Sequence, residues 1–331
     1  MKRILVTGGC GFIGSNFIRY ILGKYSYEMV NLDALTYAGN PNNLKDLTSN
    51  NRYHFIHGRI EDVDTVKQAM KGVDAVVHFA AESHVDRSIL NAQPFIITNV
   101  LGTQTLLDVA RESKIERFIH ISTDEVYGQL GVDGKFKEDT PLRPNSPYSA
   151  SKASTDLLVM AYYHTYGMPV IIARPSNNYG PYQYPEKFIP LMITNLFEDR
   201  PIPVYGRGKN IRDWLYVEDC CQAINLILHK GRIGEIYNIG GQSEYRNIDI
   251  AKKLINVLNK DETYIKFVSD RPGHDFRYAL DISKIKEELK WQPSLSFEDG
   301  LRETITWFKE NRWWWEPLKR KLEKESKGFW S

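Results

Sequence analysis

The segment Ser122–Gly128 places two adjacent carboxylates, Asp124 and Glu125, directly after the hydroxyl side chain of Thr123. Two acids in one site can remove a proton from one carbon and protonate a leaving hydroxyl on the next carbon. For Asp124 to donate a proton near neutral pH its pKa must be raised, and the neighbouring Glu125 charge acts in that direction. The pattern favours elimination chemistry, and the alternative is a turn that exposes both acids to solvent.

A second pair of side chains, Tyr148 and Lys152, follows in the next predicted helix. Residues four apart lie on one face of a helix, so the phenol and the ammonium group are expected side by side. An unperturbed phenol has a pKa of about 10, and a nearby ammonium or a positive nicotinamide ring would favour its ionised form. The pair therefore predicts a base for the oxidation of an alcohol, with an ordinary surface pair as the alternative.

A glycine-rich loop, Thr7–Ser15, follows the first predicted strand and opens a helix. Its glycines let the backbone approach a pyrophosphate, whose charge is met by the free amides of a helix N-terminus. Asp33 ends the second strand, where a carboxylate can hold ribose hydroxyls and disfavour a 2'-phosphate. We therefore predict a dinucleotide site that prefers NAD to NADP, against the alternative of a structural glycine turn. Ala80 and Ala81 end a later strand, where small residues suit either the cofactor or tight strand-to-helix packing.

Strand-length apolar runs alternate with helical patterns through the first half of the chain, which predicts an α/β fold with a Rossmann-type, doubly wound parallel sheet. The predicted strands are 4–7, 29–32, 54–57, 75–79, 117–122 and 170–173, and the predicted helices are 15–22, 64–70, 98–113 and 149–166. Prolines cluster after Pro175, which predicts long loops that form a cleft. We predict a nucleotide-binding domain at 1–176 and a smaller mixed α/β substrate domain at 177–331. A strand near 236–240 belongs to the second domain or returns to the first sheet.

The composition excludes several classes of function. The 331 residues carry a formal net charge of +2, which is too small and too dispersed to indicate nucleic-acid binding. No apolar run approaches the ~20 residues that span a bilayer, and the start of the chain fits a first strand better than a signal peptide. The three cysteines, Cys10, Cys220 and Cys221, suit neither a zinc site nor a disulfide framework. We therefore expect a soluble protein in a reducing cytoplasm that binds no metal.

Several motifs together resemble the extended short-chain dehydrogenase/reductase family and, within it, the nucleotide-sugar 4,6-dehydratases. The broader resemblance rests on the glycine loop, Thr123, Tyr148, Lys152 and the segment 174–181. The narrower resemblance rests on Asp124, Glu125 and the segments 32–40, 81–88, 185–187, 212–214 and 271–275. These motifs cover the chain from Lys2 to about Asp281.

The resemblance implies that dTDP-glucose is the substrate and that NAD ends each cycle as it began. It implies that Tyr148 removes the C4 hydroxyl proton, that Thr123 bonds the same oxygen, and that hydride leaves C4. Glu125 then takes the C5 proton, Asp124 protonates the departing C6 hydroxyl, and hydride returns to C6 while Glu125 returns a proton to C5. The implied product is dTDP-4-dehydro-6-deoxyglucose, which supplies deoxysugars such as rhamnose.

The resemblance also implies three sets of site residues. The catalytic set is Thr123, Asp124, Glu125, Tyr148 and Lys152. The cofactor set is Gly8, Gly11, Phe12, Ile13, Gly14, Asp33, Ala34, Leu35, Thr36, Arg59, Ile60, Ala80, Ala81, Glu82, Ser83, Asn99, Tyr148, Lys152 and Asn178. The substrate set is His84, Thr123, Asn177, Lys187, Phe188, Pro203, Tyr205, Arg212, Asn247, Arg271 and His274. The cations of this last set would meet the diphosphate, and Tyr205 would stack on the base.

Two segments are unusual. Gly58-Arg59-Ile60 stands where the family usually has Gly-Asp-Ile near the adenine, so Arg59 either stacks on adenine or favours a phosphate on the ribose, while Asp33 still indicates NAD. The run Arg312–Pro317 contains three consecutive tryptophans and predicts an aromatic clamp against the body of the protein, with a partner surface as the alternative. The basic segment Lys319–Lys327 predicts a solvated helix face or tail.

The resemblance implies a homodimer that pairs helices 98–113 and 149–166 across a two-fold axis. Two other functions stay open at this point. One is a dehydratase or 4-epimerase acting on another nucleotide sugar, and the other is a non-catalytic NAD-binding regulatory protein. The sequence does not decide between thymine and uracil, because one methyl group in a pocket is worth only about 1 to 3 kcal/mol.

Overall fold

The computed structural model describes residues 1–325. The strands are β1 (Arg3–Thr7), β2 (Glu28–Asp33), β3 (Tyr53–His57), β4 (Ala75–His78), β5 (Arg117–Ile121), β6 (Val170–Pro175), β7 (Asn177–Tyr179), β8 (Ile202–Tyr205), β9 (Ile211–Tyr216), β10 (Ile236–Ile239), β11 (Glu244–Arg246) and β12 (Ile265–Val268). The helices are α1 (Phe12–Lys24), α2 (Val63–Ala69), α3 (Val85–Leu90), α4 (Gln93–Phe95), α5 (Thr103–Glu112), α6 (Pro147–Tyr166), α7 (Phe188–Phe197), α8 (Val217–Lys230), α9 (Asn247–Val257), α10 (Ser283–Leu289), α11 (Phe297–Glu310) and α12 (Arg312–Glu325). A π-helical stretch, Ile96–Gly102, joins α4 to α5.

Seven parallel strands form the central sheet, in the order β10-β6-β5-β4-β1-β2-β3. Strands β4 and β6 are buried along their whole length, as expected where helices cover both faces of a parallel sheet. The predicted α/β doubly wound fold is confirmed. The strand order reverses between β1 and β4, and in such sheets ligands bind in the crevice at the carboxyl ends of the strands beside this switch point.

Alternate side chains of the sheet pack into two apolar layers. Ile4 of β1 belongs to the layer shared with helices α1, α8 and α10. Its neighbour Leu5 belongs to the layer shared with α2, α5 and α6. Each buried side chain of this size contributes about 1.5 to 3 kcal/mol, so the two layers fix the strand ends from which the site is built.

The second half of the chain forms a three-stranded sheet, β11-β9-β7, and a two-stranded sheet, β12-β8. Strand β10 lies in the central sheet, where it pairs with β6. The prediction of long loops after Pro175 is wrong for much of this region, because α7 and β8 occupy residues predicted as loop. Pro190 lies in the first turn of α7, where a backbone N–H has no partner within the helix and its absence costs little.

The tryptophan-rich tail forms α12. Trp314 and Trp315 are buried against the body of the protein, as predicted, whereas Trp313 is half exposed. The predicted solvated basic face is wrong for Lys319, which is buried and donates a hydrogen bond to Glu198 Oε2 at 2.6 Å. Lys327 lies outside the described residues. Within residues 1–325, no helix has the length and apolar character needed to cross a membrane.

Candidate active site

The glycine loop lies at the carboxyl end of β1 and packs closely against the chain after β4. Gly8 has a φ of +73°, and a Cβ there would lie 2.6 Å from Ala80 N. A Cβ at Gly14 would lie 2.5 Å from Gly8 O. Helix α1 has no acidic residue in its first turn and no side-chain cap at Gly11, so its first amides are available for an anion. The loop therefore fits a pyrophosphate.

Asp33 lies at the carboxyl end of β2, with both carboxylate oxygens held by backbone amides. Leu35 N donates to Asp33 Oδ1 and Cys10 N donates to Asp33 Oδ2, each at 2.8 Å. Burial raises the pKa of Asp33, while the two amide bonds act in the opposite direction. Each oxygen keeps a lone pair for a further donor, which fits a pair of ribose hydroxyls.

A cavity of about 320 Å³ extends from this loop to the carboxyl ends of β4 and β5. Of the predicted cofactor residues, all but Leu35 and Asn99 line it. Leu35 contributes through its backbone amide to Asp33, as described above. Asn99 is buried behind the wall, where its side chain bonds both the N–H and the C=O of Glu82, at 2.8 and 3.1 Å. Both residues thus support the wall from behind, and their place in the cofactor set stays a prediction.

Tyr148 lies in the first turn of α6. A capping box between Ser146 and Ser149, with Pro147 at the first helical position, starts the helix there. Burial, followed by the Glu125 charge, raises the pKa of Tyr148, while a hydrogen bond from Thr123 lowers it. This direction is opposite to the effect predicted from Lys152. In the protein alone, the phenol is therefore held in its neutral form.

Lys152 lies one helical turn after Tyr148 in α6 and donates a hydrogen bond from Nζ to Ile121 O at 2.7 Å. Burial lowers its pKa to about 8, and the charge of Asp156 opposes that shift. Asp156 also pairs with Arg174, with 2.8 Å between Asp156 Oδ2 and Arg174 Nε. The sequence interpretation missed this buried pair, although Asp156 follows Lys152 by four residues and so shares its helix face.

Asp124 and Glu125 begin a 3-10 turn, Asp124–Tyr127, directly after β5. Thr123 caps this turn by accepting a hydrogen bond from Glu125 N at 3.3 Å. Burial, then the charges of Glu125 and Asp213, raise the pKa of Asp124 well above its usual value, which confirms the predicted direction. Asp124 Oδ2 is buried without a hydrogen-bond partner among the described residues. Burial also raises the pKa of Glu125, against the charges of Arg271 and Arg212.

A second cavity, of about 190 Å³, adjoins the first. It is lined by all of the predicted substrate residues except Thr123, which lines the first cavity. Residues that line both cavities are Ser83, Glu125, Asn177, Asn178, Gln183 and Lys187. Glu125 thus lies where a cofactor in the first cavity and a substrate in the second would meet, and Asp124 lines the first cavity next to it.

Three cations line the second cavity. Arg212 NH2 is anchored on Asp275 O at 3.0 Å, and Lys187 Nζ contacts Ser83 O at 3.2 Å. Arg271 NH1 lies 3.3 Å from Asp86 Oδ1, and its Nε is buried without a hydrogen-bond partner in the part of the chain described. This concentration of positive charge suits a diphosphate.

Two carboxylates that sequence reasoning did not select, Asp86 and Glu186, pair with basic side chains in this region. Asp86 accepts a hydrogen bond from the Tyr205 hydroxyl at 3.1 Å in addition to pairing with Arg271. Glu186 pairs with Arg87 at 3.2 Å and approaches His84 Nε2 at 3.8 Å. Both acids lie within quoted motifs, and buried acids next to basic residues are the signal that could have found them.

Taken together, a Rossmann-type sheet, a dinucleotide-shaped loop and an adjoining cationic pocket define a nucleotide-sugar enzyme of the short-chain dehydrogenase/reductase type. The sequence matches the GDP-mannose 4,6 dehydratase family over residues 5–304, and the chain belongs to that family. This membership confirms the resemblance predicted from the motifs.

Three relatives illustrate the similarity. A dTDP-glucose 4,6-dehydratase from Streptomyces niveus is 50% identical over 322 residues, covering 96% of each chain. The crystal structure of DesIV, a dTDP-glucose 4,6-dehydratase from Streptomyces venezuelae with NAD and TYD bound, is 51% identical with a TM-score of 0.94, covering 96% of this chain and 99% of that one. UDP-glucuronic acid 4-epimerase from Bacillus cereus, in complex with UDP-glucuronic acid and NAD, is 33% identical with a TM-score of 0.88, covering 93% of this chain and 99% of that one.

Proposed function

We propose that this protein is an NAD-dependent hydro-lyase that converts dTDP-glucose into dTDP-4-dehydro-6-deoxyglucose. The observation that carries the proposal is the position of Glu125 at the junction of the two cavities, with Asp124 beside it in the wall of the first cavity. An epimerase needs a base at C4 and a hydride acceptor, whereas a dehydratase also needs groups that move protons at C5 and C6. The similarity to dTDP-glucose 4,6-dehydratases at 50% identity over nearly the whole chain supports the same substrate.

NAD⁺ in the first cavity would accept a hydride from C4, return it to C6, and place a positive charge beside the Tyr148 phenol. The positive charge of the bound nicotinamide would favour the phenolate of Tyr148, which takes the C4 hydroxyl proton, and Thr123 lies beside it to bond the same oxygen. The ketone acidifies the C5 proton, which Glu125 accepts. Asp124, kept protonated by burial and by its neighbour, donates a proton to the departing C6 hydroxyl. Each acid thus performs the step that its position and pKa allow.

The two halves of the chain divide the binding tasks. We propose that residues 1–176, with β10, bind the cofactor and that residues 177–331 provide most of the nucleotide-sugar pocket. The three cysteines are buried free thiols, which supports a reducing cytoplasm as the location.

Exposed apolar side chains support the expected homodimer. Leu90 is 69% exposed, Leu101 is 51% exposed and Leu157 is 65% exposed. Leu101 and Leu157 belong to the segments 98–113 and 149–166 that are predicted to pair across the two-fold axis, whereas Leu90 lies outside them in α3. Burial of this face against a second copy would remove it from water. Light scattering of the wild type and of Leu157→Arg tests the proposal, which requires a dimer that the charge weakens.

The proposed reaction is tested with purified protein, dTDP-glucose and no added cofactor. The expected result is a product lighter by one water, formed without net NADH. UDP-glucose and GDP-mannose are the comparison substrates. Dehydration of one of these instead of dTDP-glucose would mean that the proposed substrate is wrong and the proposed reaction class is right. An epimeric product of unchanged mass would replace dehydration by epimerisation, and no turnover of any sugar would indicate a non-catalytic NAD-binding protein.

A further inference from the structure

The C-terminal helix reaches a segment next to the glycine loop. The Trp314 indole Nε1 donates a hydrogen bond to Asn43 Oδ1 at 2.8 Å, across 271 residues of sequence. Trp314 is 2% exposed and Asn43 is 1% exposed. A polar contact this deeply buried is costly to disrupt, because the group left behind has no water to bond.

Asn43 in turn contacts the glycine loop. Its Nδ2 donates to Cys10 O at 2.9 Å, and the same carbonyl accepts from Asn40 N at 3.0 Å. On the other side, Cys10 N donates to the Asp33 carboxylate at 2.8 Å. The two peptide groups that flank Cys10, between Gly9 and Gly11, are therefore held from opposite sides.

The chemistry of the two side chains makes the contact directional. An asparagine amide has an oxygen that accepts and a nitrogen that donates, whereas an indole N–H can only donate. Trp314 therefore requires the oxygen of Asn43 to face it, which turns the amide nitrogen towards Cys10 O. The reversed amide would set two oxygens against each other and leave the indole N–H without an acceptor.

Aromatic packing keeps the indole in place. The Trp314 ring lies 5.1 Å from the Trp307 ring and 5.9 Å from the Tyr182 ring. Arg19 of α1 stacks on Tyr182 at 4.8 Å and donates to Asn43 O at 2.5 Å. Helix α1 starts at the glycine loop, so the same cluster holds both the loop and the helix that follows it.

We propose that Trp314 is a positioning residue for the cofactor, which acts through Asn43 on the peptide groups around Cys10. The proposal rests on the proposed function in one respect, namely that the first cavity holds NAD. Because Trp314 does not line that cavity, it affects the cofactor only through the geometry of the glycine loop.

The test compares Trp314→Phe with Trp315→Phe. Trp315 is a matched control, because it is also fully buried and its Nε1 donates to Phe308 O at 2.7 Å, within the C-terminal region. Both substitutions keep an aromatic ring and remove one buried N–H donor. Titration of NAD into stripped protein should show a Kd raised about fivefold for Trp314→Phe and changed less than about twofold for Trp315→Phe, at similar losses in Tm.

A double-mutant cycle with Asn43→Ala tests whether Trp314 acts on the glycine loop through Asn43. If Trp314 acts through Asn43, the second substitution adds little to the NAD Kd of Asn43→Ala. An unchanged Kd in Trp314→Phe, equal increases in both tryptophan variants, or fully additive effects in the cycle would overturn the proposal. A wild-type protein that binds no NAD would instead overturn the proposed function, and thermal melts separate either result from failure to fold.

Discussion

The two cavities that meet at Glu125 are built in different ways. The first cavity is lined at the glycine loop and after β4 by Gly8, Gly11, Gly14, Ala80 and Ala81, which follow two strands of one sheet. The wall of the second cavity carries Lys187, Arg212 and Arg271, which come from separate segments of the chain. The cofactor is therefore recognised by the shape of the backbone, and the substrate by a few charged side chains.

This difference has a consequence for substitutions. At the glycine loop of the first cavity there is no side chain to remove, and damage arises when an added atom distorts the loop. In the second cavity and at the junction, removal of one functional group removes a specific interaction. The following variants probe this contrast.

The largest effect is expected for Tyr148→Phe, in the wall of the first cavity. The substitution removes the hydroxyl that accepts the substrate proton, so kcat should fall by about 10³-fold, within the usual range for general base catalysis. Phenylalanine keeps the packing of α6, so Tm and the Kd for NAD should stay close to wild type. Steady-state rates with dTDP-glucose, together with NAD titration, measure both. A retained kcat would remove Tyr148 from the proposed chemistry.

Gly14→Ala should abolish tight NAD binding because the added methyl group changes the shape of the glycine loop. The added Cβ would lie 2.5 Å from Gly8 O and 2.9 Å from Gly9 Cα, so the loop must move. Gly23→Ala is the matched control on the same helix, because a Cβ there meets nothing within 4 Å, and it should stabilise the protein by up to about 1 kcal/mol. NAD titration and thermal melts distinguish the two. Normal NAD affinity in Gly14→Ala would contradict recognition by backbone shape.

Arg271→Gln should raise the KM for dTDP-glucose by about tenfold, because a charged hydrogen bond to the diphosphate is lost. The kcat should change less, since Arg271 lies away from the cofactor cavity. Arg277→Gln serves as the control. Arg277 is similarly buried, but its guanidinium pairs with Glu244 and does not line the second cavity. Equal changes in KM for both variants would indicate general damage and not loss of a phosphate contact.

Asp156→Asn should give the smallest effect, a shift of the pH profile. Burial lowers the pKa of Lys152 to about 8 and the Asp156 charge opposes that shift. If activity needs the ammonium form, it is lost as pH rises through this pKa. Removal of the carboxylate charge lowers the pKa further, so the alkaline limb should move to lower pH by up to about one unit. An unchanged alkaline limb would show that the Asp156 charge does not influence the pKa of Lys152.

The parts of the site that follow one another closely in sequence could be predicted. The glycine loop, Asp33 and the Tyr148-Lys152 pair each depend on local spacing within a strand-helix unit, and all of them line the first cavity. Strand β4 was predictable for a similar reason, because a short apolar run buried on both faces has few other structures available.

The parts of the site that depend on tertiary contacts could not be predicted from the sequence. Asp86 meets Arg271 across 185 residues, and no spacing encodes that distance. The raised pKa of Tyr148 depends on burial and on the charge of Glu125, and the Lys152 ammonium bonds Ile121 O. Pro190 was read as a loop residue, although its place in the first turn of α7 makes it compatible with a helix.

The most direct measurement is the reaction of dTDP-glucose in D₂O, followed by mass spectrometry and NMR of the product. If Glu125 removes the C5 proton, exchanges it with solvent and returns a deuteron while Asp124 drives loss of the C6 hydroxyl, the product has lost one water and carries one solvent deuterium at C5. Glu125→Gln should form no such product while still binding NAD. A product that retains all of its hydroxyl groups, or the dehydrated product formed at an unchanged rate by Glu125→Gln, would contradict an elimination carried out by this acid pair.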